Sequence, residues 1–199
     1  MTRKVVLILI ASLITAVAIG WAIVTRLPRR SANPVTAAPA ATTPPLSPVI
    51  DGRKIKARLF FVSEDGSRLT SIEHEVPYAE RTEMQARRIL EAQFAPAAAP
   101  LVSAIPQGTT VRAVFLTPDG TAFVDISGEL SSKHPGGSLN ELLTVYTIVE
   151  ALTTNLPAVT AVQVLVDGKE LDTLAGHLDM KHPLPRGDEW VVESPAATR

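Results

Sequence analysis

"HPGGSLNELL", His134 to Leu143, decides how the second half of this chain is read. Paired glycines and a serine ahead of an apolar run suit three structures: a phosphate cradle, a nucleophile turn or the start of a helix. A phosphate-binding loop of the Walker type places a lysine directly before the serine, where its ammonium can reach the phosphates; Gly137 stands there instead. A nucleophile elbow needs a glycine two residues after the serine to allow the strained strand-to-helix turn, and that residue is Asn140. Ser138 followed by Glu141 fits a capping box, in which the hydroxyl accepts from the Glu141 backbone N–H and the carboxylate accepts from the Ser138 N–H. Leu142, Tyr146, Val149, Leu152 and Leu156 then fall on one helical face before Pro157 closes the run. A helix start is therefore expected, with Gly136 and Gly137 making the reversal out of the loop 127–133. Its N-terminus still offers backbone N–H groups to an anion.

Upstream, "VRAVFLTPDGTAFVDIS" reads as a hairpin. Val111, Ala113 and Phe115 alternate before the Pro118–Gly120 turn, and Ala122, Val124 and Ile126 alternate after it. An earlier hairpin begins where Ile55, Ala57, Leu59 and Phe61 alternate with Lys54, Lys56 and Arg58. It turns at Asp65–Gly66 and returns along Leu69 to Val76. "YAERTEMQARRILEAQF" follows as a helix whose apolar stripe is Met84, Ile89, Leu90 and Phe94, core residues by this reading. The proline-broken stretch Ala95 to Thr110 is a surface connection. Downstream of Pro157 come a strand from Val159 to Val166, an Asp167–Gly168 turn and a return segment through Leu171 and Leu174 to Leu178. The fold class is thus α+β: two β-hairpin/helix units forming a mixed, mostly antiparallel sheet with two helices on one face, plus one N-terminal transmembrane helix.

That last element is "VVLILIASLITAVAIGWAIV", Val5 to Val24, which carries no charge and has the ~20 residues needed to cross a hydrocarbon core. Trp21 sits where an interfacial aromatic belongs. "AVA" at Ala16–Ala18 resembles a signal-peptide cleavage site, but the apolar run continues past it, and a signal core spans only about 7–15 residues. Arg3 and Lys4 precede the span and Arg26, Arg29 and Arg30 follow it, so charge alone does not fix orientation; a short N-terminal tail before a long polar chain is the usual arrangement of a signal anchor. "SANPVTAAPAATTPPLSP", Ser31 to Pro48, is uncharged and proline-rich, the composition of a semi-extended tether. The expected organisation is a tail at 1–4, a transmembrane helix at 5–25, a linker at 26–50, a folded domain at 51–185 and a C-terminal tail at 186–199.

Five of the 19 basic residues precede position 50, and no acid does, so the remainder carries 14 bases against all 20 acids, a net of about −6. Nucleic-acid binding requires a basic stripe, which excludes that partner. The absence of cysteine removes disulfides, thiolate catalysis, cysteine-type zinc sites and an acylated cysteine anchor.

Several motifs then carry a family likeness. "VDIS" (Val124–Ser127), "GGSLNEL" (Gly136–Leu142), "TIVEALT" (Thr147–Thr153), "VLVDG" (Val164–Gly168) and "LAGHLDMKHPL" (Leu174–Leu184) occur in that order. The region from Phe123 to Leu184 resembles the GerMN domain family of bacterial sporulation and germination proteins. A looser likeness reaches back to about Lys54 and includes "IPQGTTV" at Ile105–Val111. One copy is present. The resemblance implies a membrane or lipid anchor, a place outside the cytoplasmic membrane and a fold similar to ring-building modules of secretion-type assemblies. It supplies no catalytic residue to carry over.

The residues themselves assign no catalytic, cofactor-binding or metal-ligating position. His74, His134, His177 and His182 lack the spacing of a ligand set, and His177 is read as a polar residue closing the return strand. Asp125, Glu141 and Asp167 could form an acid/base set, but Glu141 has a capping role and Asp167 a turn role, leaving Asp125 alone. A non-enzymatic domain is expected, without cofactor, attached to the membrane through its N-terminal helix and associating with a protein partner or with itself through a helix surface and a sheet edge. A peptidoglycan-binding module of the cell envelope is the alternative.

Overall fold

The chain divides at Val49/Ile50 into two units, and the computed structural model describes residues 52–192 of the second. The expected anchor at 5–25 and linker at 26–50 lie outside the described residues. Among residues 52–192, no helix is long and apolar enough to cross a membrane.

Two hairpin–helix units follow one another, as the alternation in the sequence requires. Strands β1 (Lys54–Val62) and β2 (Leu69–Pro77) precede helix α1 (Thr82–Phe94). Strands β3 (Val111–Leu116) and β4 (Thr121–Ile126) precede the short α2 (Glu129–Ser132) and the long α3 (Ser138–Thr153). Strand β5 (Ala161–Val166), the two-residue strands β6 (Lys169–Glu170) and β7 (Leu184–Pro185), and a 3-10 turn at Asp188–Trp190 complete the domain. The Asp-Gly pairs lie at the hairpin tips. Asp167 and Gly168 both take positive φ, 49° and 75°, the conformation a two-residue type I′ loop demands.

The strands do not form the single sheet expected. β1 and β2 make a separate antiparallel hairpin, while β3-β4-β5-β6 form a second sheet with β7 also on β5. β4 and β5 run parallel, which needs a crossover connection; α3 lies in it. The separation has a local cause. On the edge of β1 facing away from β2, the Arg58 N–H donates to Asn155 Oδ1 at 2.7 Å and the Arg58 carbonyl accepts from Asn155 Nδ2 at 2.8 Å. Gln93 repeats the arrangement on Phe60, with both bonds at 2.7 Å. Two side-chain amides thus take the hydrogen bonds a third strand would have made.

α3 touches β1 of the hairpin, β5 and β7 of the larger sheet, and α1. Having neighbours on several sides, it is buried continuously from Leu143 to Leu152, not along the single stripe expected for a surface helix. The core joins it to Leu59 and Phe60 of β1, Ile89 and Leu90 of α1, and Val124, Ile126, Val162 and Val164 of the sheet.

One expected core position is overturned, and one alternating face is reversed. Met84 is 46% exposed, because α1 turns Gln85, Ala86, Ile89, Leu90 and Gln93 inward instead. Phe115 is 62% exposed although Val111 is buried. A register shift between Val111 and Ala113 inserts a bulge, and one extra residue moves every later side chain to the opposite face. The return segment also differs: after Glu170 the ladder stops, and residues 171–183 are irregular. Past the expected domain end at 185, the chain stays on the fold, with the Val192 N–H donating to the Leu69 carbonyl at 2.7 Å.

Candidate functional site

The helix start in the quoted stretch is present, but its capping chemistry is not the one expected. Gly136 and Gly137 take φ of 80° and 88°, left-handed values that glycine adopts without strain. Gly137 is the N-cap residue and no side chain caps the helix; Ser138 is its exposed first residue. The Glu141 side chain, expected to reach back to Ser138, points into the domain and has no solvent exposure. Its Oε1 accepts from the N–H groups of Leu174 and Ala175, both at 2.8 Å. Its Oε2 accepts from the His177 N–H at 2.8 Å and lies 3.1 Å from His177 Nδ1. The carboxylate therefore clasps the loop that the sequence read as a strand, occupying donors that a ladder would need. Burial pushes the Glu141 pKa up, but the N–H groups of Ala175, His177 and Leu178 and the His177 ring outweigh it and hold it below the ordinary value.

Glu150, on the same helix, makes the complementary case. Its side chain also has no exposure. It accepts from the Gly187 N–H at 2.8 Å and the Thr154 hydroxyl at 3.2 Å, and Arg186 Nε stands 3.7 Å away. Burial pushes its pKa up, Asp188 adds to the rise, and these partners do not cancel it. Glu150 thereby seats the 186–190 segment, where Trp190 packs on Tyr146 with ring centroids 6.1 Å apart.

His134 is structural. Its Nδ1 accepts from the Gly136 N–H at 3.0 Å, so Nε2 carries the proton in the neutral ring. Nε2 then donates to Thr144 Oγ1 at 3.2 Å, and that hydroxyl donates to the Ala104 carbonyl at 2.8 Å. Of the three weighed carboxylates, Asp125 and Asp167 meet on Arg112, at 3.1 and 3.2 Å, and Asp125 accepts from the Gly168 N–H at 2.7 Å. This knot ties the β3–β4 hairpin to the β5–β6 turn. Glu141 is engaged with its loop instead. Among the described residues, no group of His, Asp and Glu is arranged to hold a metal ion.

The remaining feature is an edge. β3 ends the larger sheet, and α1 lies beside it. Arg87 donates to the carbonyls of Arg112 and Val111, both at 3.0 Å, which closes the first part of the strand. Beyond it a shallow groove of about 220 Å³ is lined by Arg81, Glu83, Met84, Arg87, Arg112, Ala113 and Val114. Sequence reasoning anticipated a sheet edge as an association surface but not which one, because the bulge that turns Phe115 outward has no local signal. The buried glutamates did leave one: a carboxylate such as Glu150 inside the apolar run Val145–Leu152 must find partners or incur a large desolvation cost.

A family profile described as sporulation and spore germination, Germane, matches residues 58–172. The chain belongs to that family. The resemblance read from "VDIS", "GGSLNEL", "TIVEALT" and "VLVDG", all within the matched residues, holds, and residues 58–172 carry a GerMN-type domain. Its relatives among solved structures include a candidate lipoprotein of Clostridium perfringens, 20% identical with a TM-score of 0.49, covering 68% of this chain and 89% of that one. The tandem GerMN domains of the sporulation protein GerM from Bacillus subtilis are 19% identical with a TM-score of 0.49, covering 68% of this chain. This chain spans only 45% of that tandem structure. The first GerMN domain of the same protein is 21% identical with a TM-score of 0.46, covering 67% of this chain and 95% of that one. A comparison with curated proteins finds no match.

Proposed function

We propose that this GerMN-domain protein is anchored in the cytoplasmic membrane by residues 5–25, carries its domain on the extracytoplasmic side, and acts there by non-covalent association with a protein partner or further copies of itself, without catalysis. The observation that carries this reading is the distribution of polar and apolar groups over the domain. Its fully buried carboxylates, Glu141 and Glu150, are engaged with main-chain N–H groups, while Met84 and Phe115 stand 46% and 62% exposed beside a sheet edge. Large exposed apolar side chains next to an open edge are the chemistry of association. The uncharged stretch Val5–Val24 and the proline-rich tether after it support the placement.

Two measurements test it. The full chain, expressed in a bacterium, should sediment with membranes and lose its domain to protease added outside the cytoplasmic membrane; recovery in the soluble cytoplasm would overturn the placement. Residues 50–199, one compact unit of the chain, should sediment with a mass that rises with concentration or co-purify with an envelope protein. A strict monomer that is instead retained by purified sacculi would replace this reading with wall binding.

A further inference from the structure

We infer that two copies of this domain join through their β3 strands, antiparallel across a two-fold axis at Phe115, to make one continuous sheet. The inference deepens the association reading above and rests on it.

The backbone fixes the register. The Thr117 N–H donates to the Thr121 carbonyl at 3.0 Å, so Thr117 faces β4. By the alternation of an antiparallel ladder, Phe115 and Ala113 also face β4, while Val114 and Leu116 point their N–H and C=O groups away from it. Arg87 covers the carbonyls of Val111 and Arg112, and Pro118 has no N–H to give. The usable edge is therefore Val114 to Leu116, bounded at both ends.

A second copy fits that edge in one two-fold register. Val114 of one copy stands opposite Leu116 of the other, exchanging both hydrogen bonds, and the symmetric pair repeats them. Phe115 then lies on the axis opposite its own counterpart, at a non-hydrogen-bonded position, where side chains approach most closely. The most exposed of the large apolar side chains described thereby gains an aromatic neighbour. Met84, lining the groove beside the same edge, gains cover from the incoming strand. Charge is compatible with this pairing. Ala113 to Leu116 carries none, so the register sets no like charges against each other. Such a contact is small, in the class of weak interfaces below roughly 1,200 Å². Confinement to a membrane by a tether raises the effective concentration and makes a weak contact significant.

The chain contains no cysteine, so a single introduced thiol reports position without background. Full-length Phe115→Cys should form a disulfide-linked dimer under mild oxidation. Val102→Cys, placed at an equally exposed site away from the edge (58%), should not. Phe115→Lys, a charge on the edge strand, should raise the dimer dissociation constant by roughly tenfold or more while leaving circular dichroism and melting unchanged. Wild-type dimers that persist in Phe115→Lys, with no cross-link from Phe115→Cys, would sink this inference and leave self-association by another surface. A wild-type monomer that binds an envelope protein would sink it and leave hetero-association standing. Cross-linking of Val102→Cys as efficient as that of Phe115→Cys would show random collision and overturn it as well.

Discussion

Replacing Glu141 with glutamine keeps the length of the side chain and changes what it can accept. Both carboxylate oxygens receive main-chain N–H groups, Leu174 and Ala175 on one and His177 on the other. An amide has one acceptor oxygen, so in either orientation one side of the clasp sets an NH2 against an N–H. The surviving bonds lose charge assistance, which is worth up to about 1.5 kcal/mol each, and the orphaned donors cost about 1–3 kcal/mol. A total near 3–5 kcal/mol is expected, the range found when one partner of a buried charged contact is removed. For a domain of this size, that lowers Tm by roughly 10 °C. Urea denaturation of residues 50–199 at pH 7 measures the loss, and hydrogen exchange should localise it to the amides of 174–178. Ser138→Ala is the partner experiment: a true N-cap would lose about 1 kcal/mol, whereas an exposed first-turn serine should change stability by less than about 0.5 kcal/mol. The pH dependence has a definite sign. The folded pKa of Glu141 lies below the ordinary 4.5, so its stabilisation is present above that value and is lost as pH falls through the lower folded pKa. The deficit of Glu141→Gln should therefore shrink below about pH 4. Equal losses from Ser138→Ala and Glu141→Gln would refute the clasp and restore the capping box.

Glu150→Gln should behave oppositely. Its folded pKa is raised, so the wild-type charge opposes folding at neutral pH and that penalty fades as pH falls towards the raised value; urea midpoints should show the variant unchanged or more stable at pH 7, with its advantage disappearing on acidification. Gln93→Leu orphans both main-chain groups of Phe60 and should cost about 2–4 kcal/mol in chemical denaturation, while Asn155→Ala, at the exposed Arg58 site, should cost less because water replaces the amide. Gly187→Ala would set a methyl against Trp190 Cδ1 at 2.8 Å and Tyr146 Cδ1 at 2.9 Å; a loss of about 1–3 kcal/mol and a shift in the emission of Trp190, the one tryptophan beyond position 50, are expected, and an unchanged spectrum would argue against this packing.

Local chemistry was legible in the sequence. Period-two alternation placed β1 and β4, Asp-Gly pairs placed the turns and with them the returning β2, and Gly136–Gly137 placed the entry to α3, because each is decided by dihedral preferences and side-chain parity over a few residues. The family likeness rested on those same segments. What only the tertiary structure decided is where polar side chains spend their hydrogen bonds across distance. Glu141 satisfies a local capping rule on paper but finds three N–H donors more than thirty residues away. Those contacts outweigh a cap because they form where water is excluded and an unpaired charge is untenable. Gln93 and Asn155 likewise divide the strands into two sheets by completing β1 from the side. The bulge after Val111 that exposes Phe115 is a property of how β3 meets β4, and nothing in the order of residues along one strand announces the register of its neighbour.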